Sequence, residues 1–322
     1  MQAILSSMSD DGVPDVAAAI KMLGRAMDPA GEQTGVTLDA KDPVLTDAMR
    51  CIMAHKWLAP VVGRKDANGN IVESFFMQPL DNAQALPLFS SSVGFERLQQ
   101  KQAQTGTFLK SIPRTFCQAL MTDLPPVSLE AFTQQNLPEK FAVRGIHLDP
   151  EPLVLTLPSQ DADGDGVIFS DVAFPLLRSF CESFVLAGAA LQIDAELRTK
   201  QTIDDKAWTN LFFGHSLVGI LAGGVTMFTA DAGLLLFCFP GDASKVLAYH
   251  QRQETPGLNA GKVQALDPKQ LLDILRWQAG SQACTQIVAA VFEDAGEPKC
   301  HGLTITPETF LQHVEPALSQ IN

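Results

Sequence analysis

The sequence predicts an α+β fold: two mixed α/β subdomains, each a small sheet covered by helices. Three observations lead there. Stretches with apolar residues at helical spacing alternate with short apolar runs that read as strands. Turn formers, Asp66-Ala67-Asn68-Gly69-Asn70 above all, sit between neighbouring runs as in hairpins. Paired prolines in Leu148-Asp149-Pro150-Glu151-Pro152 resist both helix and central strand, and so separate a first set of elements from a second. The expected divisions are 1–42, an N-terminal helix and loop; 43–150, a first domain; and 151–322, a second α+β domain.

In chain order, Val16, Ile20, Leu23 and Met27 recur at helical spacing after Pro14, and the polar run from Asp28 to Gly35 reads as a loop. A second amphipathic helix is expected from Pro43 to Lys56, with Leu45, Met49 and Ile52 on one face. From Trp57 the period changes to that of a strand, followed by the Asn-Gly turn and a returning strand from Val72 to Pro79. Ala85 to Phe89 reads as a short buried strand. The hydroxyls of Ser90, Ser91 and Ser92 then suit the start of a helix carrying Phe95 and Leu98. Thr107 to Ile112 is a further strand, and Pro113 precedes a helix with Phe116 and Leu120 inward.

In the second half, Leu153 to Leu157 reads as a strand and Ala173 to Leu191 as a long apolar helix. Leu211 to Phe239 is the most apolar region. Asp267-Pro268 opens a helix with Leu271, Leu272 and Leu275. Ile287 to Phe292, a turn at Asp294-Ala295-Gly296, and Gly302 to Thr306 form a closing hairpin. Thr306-Pro307 caps a last helix, which Pro316 is expected to cut short.

The chain is 46% hydrophobic and 18% charged, enough apolar material for a sizeable core. Its net charge of −13 repels phosphate backbones and anionic headgroups, which argues against nucleic acid and membrane as partners and suits a basic protein. The six cysteines are scattered, with no Cys-x-x-Cys pair, and read as buried free thiols in a reducing compartment. The first residues carry no basic and apolar leader pattern, so the expected location is the cytoplasm.

The order of short motifs in the first half goes further. Lys56-Trp57-Leu58-Ala59-Pro60 is followed by a hairpin, then Leu86-Pro87-Leu88-Phe89-Ser90-Ser91, a helix ending Arg97-Leu98-Gln99-Gln100, and Phe108-Leu109-Lys110-Ser111-Ile112-Pro113-Arg114. From Pro43 to Pro150 the chain resembles the N-terminal domain of the SseB (enhanced serine sensitivity) family. The serine turn is longer here, through Ser92, Val93 and Gly94. The resemblance implies no catalytic residue and no cofactor, and an accessory or regulatory protein linked in name to secretion systems.

Four stretches offer sites. Asp161-Ala162-Asp163-Gly164-Asp165-Gly166 matches the start of a calcium loop, with Asp161, Asp163 and Asp165 as converging carboxylates. Val172 stands where the bidentate glutamate belongs, which favours a solvated Asp-Gly turn over a metal site. Gly214-His215-Ser216-Leu217-Val218 resembles a serine-hydrolase elbow, but Val218 replaces the second glycine, which favours a buried segment. Leu211 to Ala230 is long enough to span a bilayer, yet lacks flanking basic residues and ends at Asp231; a core helix followed by a strand is expected instead. The six histidines show no metal-ligand spacing. The turn at Phe89, Ser91 and Phe95 is the expected contact surface, against the alternative of a helix start with Phe95 buried. The expectation is a non-enzymatic accessory or regulatory protein acting through a protein partner. The rival readings are a hydrolase using Ser216 and a membrane-associated secretion accessory protein.

Overall fold

A computed structural model describes residues 16–27, 39–65, 68–80, 83–124, 144–150, 167–169, 174–199, 203–213, 216–222, 226–227, 229–230 and 233–319. The fold is α+β, with helices and three small sheets. The expected strand at Leu153 to Leu157 and the loop with Asp161, Asp163 and Asp165 lie outside the described residues.

Helix α1 (Val16–Met27) buries Ala19, Ile20 and Leu23 against α2 (Pro43–Ala54). Helix α2 begins where expected: the Asp42 carboxylate accepts from the N–H groups of Val44 and Leu45, and Pro43 occupies the first turn. The sequence predicts one apolar face for α2. The structure instead buries it on nearly every side, Thr46, Arg50, Cys51 and Met53 included, because helices pack on it from several directions. The turn after α2 is fixed by Trp57, fully buried, whose indole N–H donates to the carbonyl of Ile52 at 2.9 Å.

Strands β1 (Trp57–Lys65) and β2 (Ile71–Phe75) form the expected hairpin, with Lys65 opposite Ile71 and Gly69 at φ 83°. The returning strand does not run on to Pro79. It breaks at Phe76 and Met77, and β3 (Gln78–Leu80) pairs with β4 (Ala83–Leu88) in a different sheet. Helix α3 (Ser92–Gln104) and β5 (Leu109–Arg114) follow, and β5 completes a three-stranded sheet in the order β2-β1-β5. Phe89, Phe95, Leu98 and Leu109 form a small core between α3 and that sheet. Helix α4 (Phe116–Gln118) opens with a capping box between Thr115 and Gln118 and continues into a π-turn at Ala119–Asp123.

Strand β6 (Arg144–Leu148) lies parallel to β4, and β7 (Val167–Phe169) pairs antiparallel with β6. This four-stranded sheet therefore takes strands from both sides of residue 150. The largest buried cluster does likewise, from Ala19 to Ala317. The expected division at 150 is not matched by a break in the core: β6 ends at Leu148, and buried residues from both sides of that point pack in one cluster.

Helix α5 (Phe174–Arg198) is longer than the sequence predicts. Among the described residues it is the one helix long and apolar enough to cross a membrane. Here Leu177, Phe180, Phe184, Ala187 and Ile193 are buried in the protein core, and the helix packs on β13 and β14 of the largest sheet, described next. After α6 (Asp205–Phe213), the apolar region from Leu211 to Ala230 is not one helix. It is the end of α6, then β8 (Val218–Ala222), β9 (Thr226–Met227) and β10 (Thr229–Ala230). The glycines and β-branched residues between Leu217 and Thr229 favour strands over a continued helix.

Strand β11 (Gly233–Phe237), helix α7 (Pro240–Arg252), strand β12 (Lys262–Ala265), helix α8 (Pro268–Gly280), and strands β13 (Thr285–Asp294) and β14 (Glu297–Ile305) follow. The sheet runs β12-β8-β11-β13-β14, with β9 and β10 paired at its side. Only β11 and β13 are parallel among these neighbours. Alternation along β11 sends Leu234 and Leu236 into the large core shared with α5, and Leu235 and Phe237 toward Ala243, Val246 and Leu247 of α7. A bulge between Val288 and Ala290 lets Val288 and Val291 share the α7 side. The sheet thus has a helix on each face.

The β13–β14 turn has two residues, Ala295 and Gly296, at φ 51° and 82°; two positive values are the signature of a type I′ turn. The last helix starts at Thr306, whose hydroxyl accepts from Thr309, and runs as α9 (Pro307–Thr309), a π-turn at Phe310–Val314, and α10 (Glu315–Ser319). Pro316 therefore does not stop it. The wider π-turn precedes the residue that cannot donate, and the helix resumes through it.

Candidate functional site

The densest cluster of charge inside the described residues joins α2 to α7. Arg50 is buried at 4% exposure amid Met49, Cys51 and Ile52, and Asp242 sits fully buried in the first turn of α7. Arg50 Nη2 donates to Asp242 Oδ2 at 2.6 Å and Nη1 to Asp47 Oδ1 at 3.0 Å. Lys245 Nζ reaches the other Asp47 oxygen at 2.9 Å. The Arg50 guanidinium also lies 4.6 Å from the centre of the Phe239 ring, a cation–π contact. Asp242 at a helix N-terminus is favoured by the backbone dipole.

The two helices meet closely because of Gly241. A Cβ there would overlap the side chain of Thr46, whose hydroxyl donates to the carbonyl of Asp42 at 2.9 Å, and would press on that carbonyl too. Small size at Gly241 is what lets the first turn of α7 approach the first turn of α2 and place Asp242 against Arg50.

Burial dominates the electrostatics. It pushes the Asp242 carboxyl up to about 6, with Arg50 and Lys245 pulling it down and Asp47 pushing it up. Burial also lifts the Cys238 thiol well above the usual thiol range and the Cys300 thiol to about 11, with the Asp242 charge adding to both. Thiols held protonated are poor nucleophiles and poor metal ligands. Among the described residues there is no group of three or more His, Cys, Asp or Glu placed to hold a metal ion. What the Arg50 cluster can do chemically is hold two helices in one register, because either charge left alone in this setting is costly.

The expected contact turn is built differently from its sequence reading. Phe89 and Phe95 are not on the surface: they are 2% and 6% exposed and meet edge to face at 6.2 Å. Burial corrects both as contact residues. Ser91 is exposed and occupies the N-cap position of α3, but its side chain makes no capping hydrogen bond. The turn is pinned from behind. The Asp149 carboxylate accepts from the Ser90 N–H at 2.6 Å, Asp149 N–H donates to Leu88, and His55 Nε2 lies 3.0 Å from the Ser90 carbonyl. Leu58 and Phe89 exchange backbone hydrogen bonds. Asp149, which the sequence places in a linker, is a clasp with φ 43°.

Ser216 is exposed, between α6 and β8. A hydrolase elbow needs a strand leading into a helix; here a helix leads into a strand. The neighbouring Gly214 and His215 lie outside the described residues. Of the other histidines, His250 contacts the Thr255 hydroxyl, His301 tilts against Phe292 and His313 stacks on Trp208. Sequence reading missed Arg50 and Asp242. The available signal was a lone arginine inside an apolar helical run, and its partner lies 192 residues away.

No protein-family model matches the chain, and neither a curated protein nor a solved structure matches it.

Proposed function

We propose that this chain is a non-enzymatic accessory or regulatory protein of SseB-like type that acts by binding another protein in the cytoplasm. The observation that carries the reading is the acidic balance, a net charge of −13, together with the use of its buried charges to hold the fold. The short motifs from Lys56 to Arg114 support the SseB-like part of the reading. An acidic surface attracts a basic partner over about 10 Å at ordinary ionic strength, and favours fast, salt-sensitive association.

Exposed apolar side chains give such a partner places to settle. Trp277 on α8 is 68% exposed and Leu311 is 61% exposed, while the ion pair Arg276–Glu315 ties their two elements together at 2.9 Å. Val93 is exposed beside Ser91 at the start of α3. Aromatic side chains at such positions are frequent anchors in protein interfaces.

The test is an affinity capture of the full chain from its own cells at low and high salt, beside the variants Trp277→Ala and Val93→Glu. A specific partner that is rich in lysine and arginine, released by salt, and lost with one of the variants supports the reading. Capture of nothing above the bare matrix overturns it. So does labelling by a fluorophosphonate probe that disappears in Ser216→Ala, which would make the chain a serine hydrolase.

A further inference from the structure

The turn between β1 and β2 carries the one asparagine in the chain that is followed by glycine, Asn68 before Gly69. The ladder closes at the pair Lys65–Ile71, so both residues stand outside the strands, in the turn itself. Asn68, Gly69 and Asn70 are all exposed. Gly69 sits at φ 83°, and a Cβ built on it would meet no atom within 4 Å. The peptide nitrogen after Asn68 thus belongs to a residue with no side chain, on an open side of the turn. The other described asparagines are placed differently. Asn70 precedes Ile71, which is β-branched and already held in the ladder. Asn210 lies inside α6, whose backbone hydrogen bonds fix the N–H that follows it. Asn259 precedes Ala260, whose methyl group crowds the nitrogen between them.

We propose that Asn68-Gly69 is a modification site that closes spontaneously to a succinimide in the folded chain and opens to an isoaspartyl-linked turn. The backbone nitrogen of Gly69, having lost its proton, attacks Asn68 Cγ. A nitrogen–carbon bond forms, the bond from Cγ to the side-chain amide nitrogen breaks, and that nitrogen leaves as ammonia with the proton. Holding nucleophile and carbonyl in adjacent residues makes the closure intramolecular, which is where its speed comes from. Water then opens the ring. Attack at the former backbone carbonyl of Asn68 leaves the chain running through Cγ, an isoaspartyl link. Attack at Cγ leaves ordinary aspartate. In sum, one amide and one water become one carboxylate and one ammonium, with no change of oxidation state. Each event adds a negative charge to a chain that already carries −13. The isoaspartyl form also lengthens the main chain of the turn that leads into β2, an edge strand of its sheet.

The experiment incubates the folded full chain in mildly alkaline heavy-oxygen water, beside the same chain unfolded in urea. Peptide mapping by mass spectrometry follows every asparagine. In the folded chain, the peptide holding Asn68 should be the first to convert. It should lose its amide, gain one heavy oxygen and separate into isoaspartyl and aspartyl forms, while the whole chain shifts to a more acidic position on ion exchange. Conversion should quicken as pH rises, because the attacking nitrogen must first lose its proton. Three results would overturn the proposal. In one, Asn68 stays intact in the folded chain over the time in which the unfolded chain converts. In another, a different asparagine of the folded chain converts before it. In the third, only the aspartyl form appears, the mark of direct hydrolysis without ring closure.

Discussion

Arg50 shows how a single residue can be decisive for this fold without touching a ligand. Its guanidinium is enclosed by Asp47, Asp242 and the Phe239 ring, and its removal would leave the buried Asp242 carboxyl without its closest cation, at the cost of holding a stranded charge or of taking up a proton. Arg50→Ala should therefore destabilise the chain by about 3–5 kcal/mol in denaturant unfolding. Replacing both partners, as in Arg50→Met with Asp242→Leu, should recover most of that loss, since no stranded charge remains. If the double variant is no better than Arg50→Ala, the ion pair is not the reason. The same residues set a pH dependence. Asp242 titrates near 6 when folded and near 3.8 when unfolded, so the folded state holds its proton more tightly. Its contribution to stability is fully present below about pH 4, falls as pH rises toward 6, and is flat above. The size is on the order of 2–3 kcal/mol, at 1.36 kcal/mol per pH unit. The parent chain should gain on Asp242→Asn as pH is lowered from 7 to 4, read as the difference between their unfolding midpoints. A difference that does not change with pH would contradict the burial argument.

Elements were legible where local chemistry decides them. Asn68-Gly69 marked the first hairpin, and Asp294-Ala295-Gly296 marked the last, because positive φ leaves few residue choices. Asp42-Pro43 and Thr306-Pro307 announced helix starts through a side-chain acceptor and a pre-set φ. Helix α7 was not legible. Its N-cap residue, Phe239, offers no side-chain acceptor, and its buried Val246 and Leu247 give a short pattern. The split between β2 and β3 was hidden too, since both halves read as strand and only their partners differ. The candidate site was less legible than the elements. Phe89 and Phe95 looked like contact residues because nothing local says that Leu58, Leu98 and Leu109 will cover them. The β13–β14 turn also carries a correctable flaw. Ala295 adopts a left-handed conformation at a cost of about 1 kcal/mol, which asparagine tolerates better. Ala295→Asn should raise stability by about 0.5–1 kcal/mol in chemical denaturation; a loss would mean that the turn is not type I′.

At the scale of the whole molecule, the two expected domains share one interior. The core runs from Ala19 to Ala317, α2 packs on α1, α5 and α7, and the four-stranded sheet collects β3, β4, β6 and β7. A fragment of residues 1–150 would lose α5 and α7 from around α2 and expose Met49, Ile52 and Arg50. Expressed alone, it should show no cooperative thermal transition by circular dichroism, whereas the intact chain should show one. A sharp transition in the fragment would restore the boundary that the prolines around residue 150 suggest.

The join between Arg50 and Asp242 also sets a timetable for biosynthesis. The guanidinium emerges from the ribosome 192 residues before its carboxylate. At about 5–20 residues per second, that interval lasts roughly 10–40 seconds. Throughout it, the central helix lacks the buried carboxylate of Asp242 and the helix α7 that carries it, and for most of it α5 as well. The buried contacts of the amino-terminal half are thus completed only late in synthesis, and for most of that time the apolar faces of the central helix stay open.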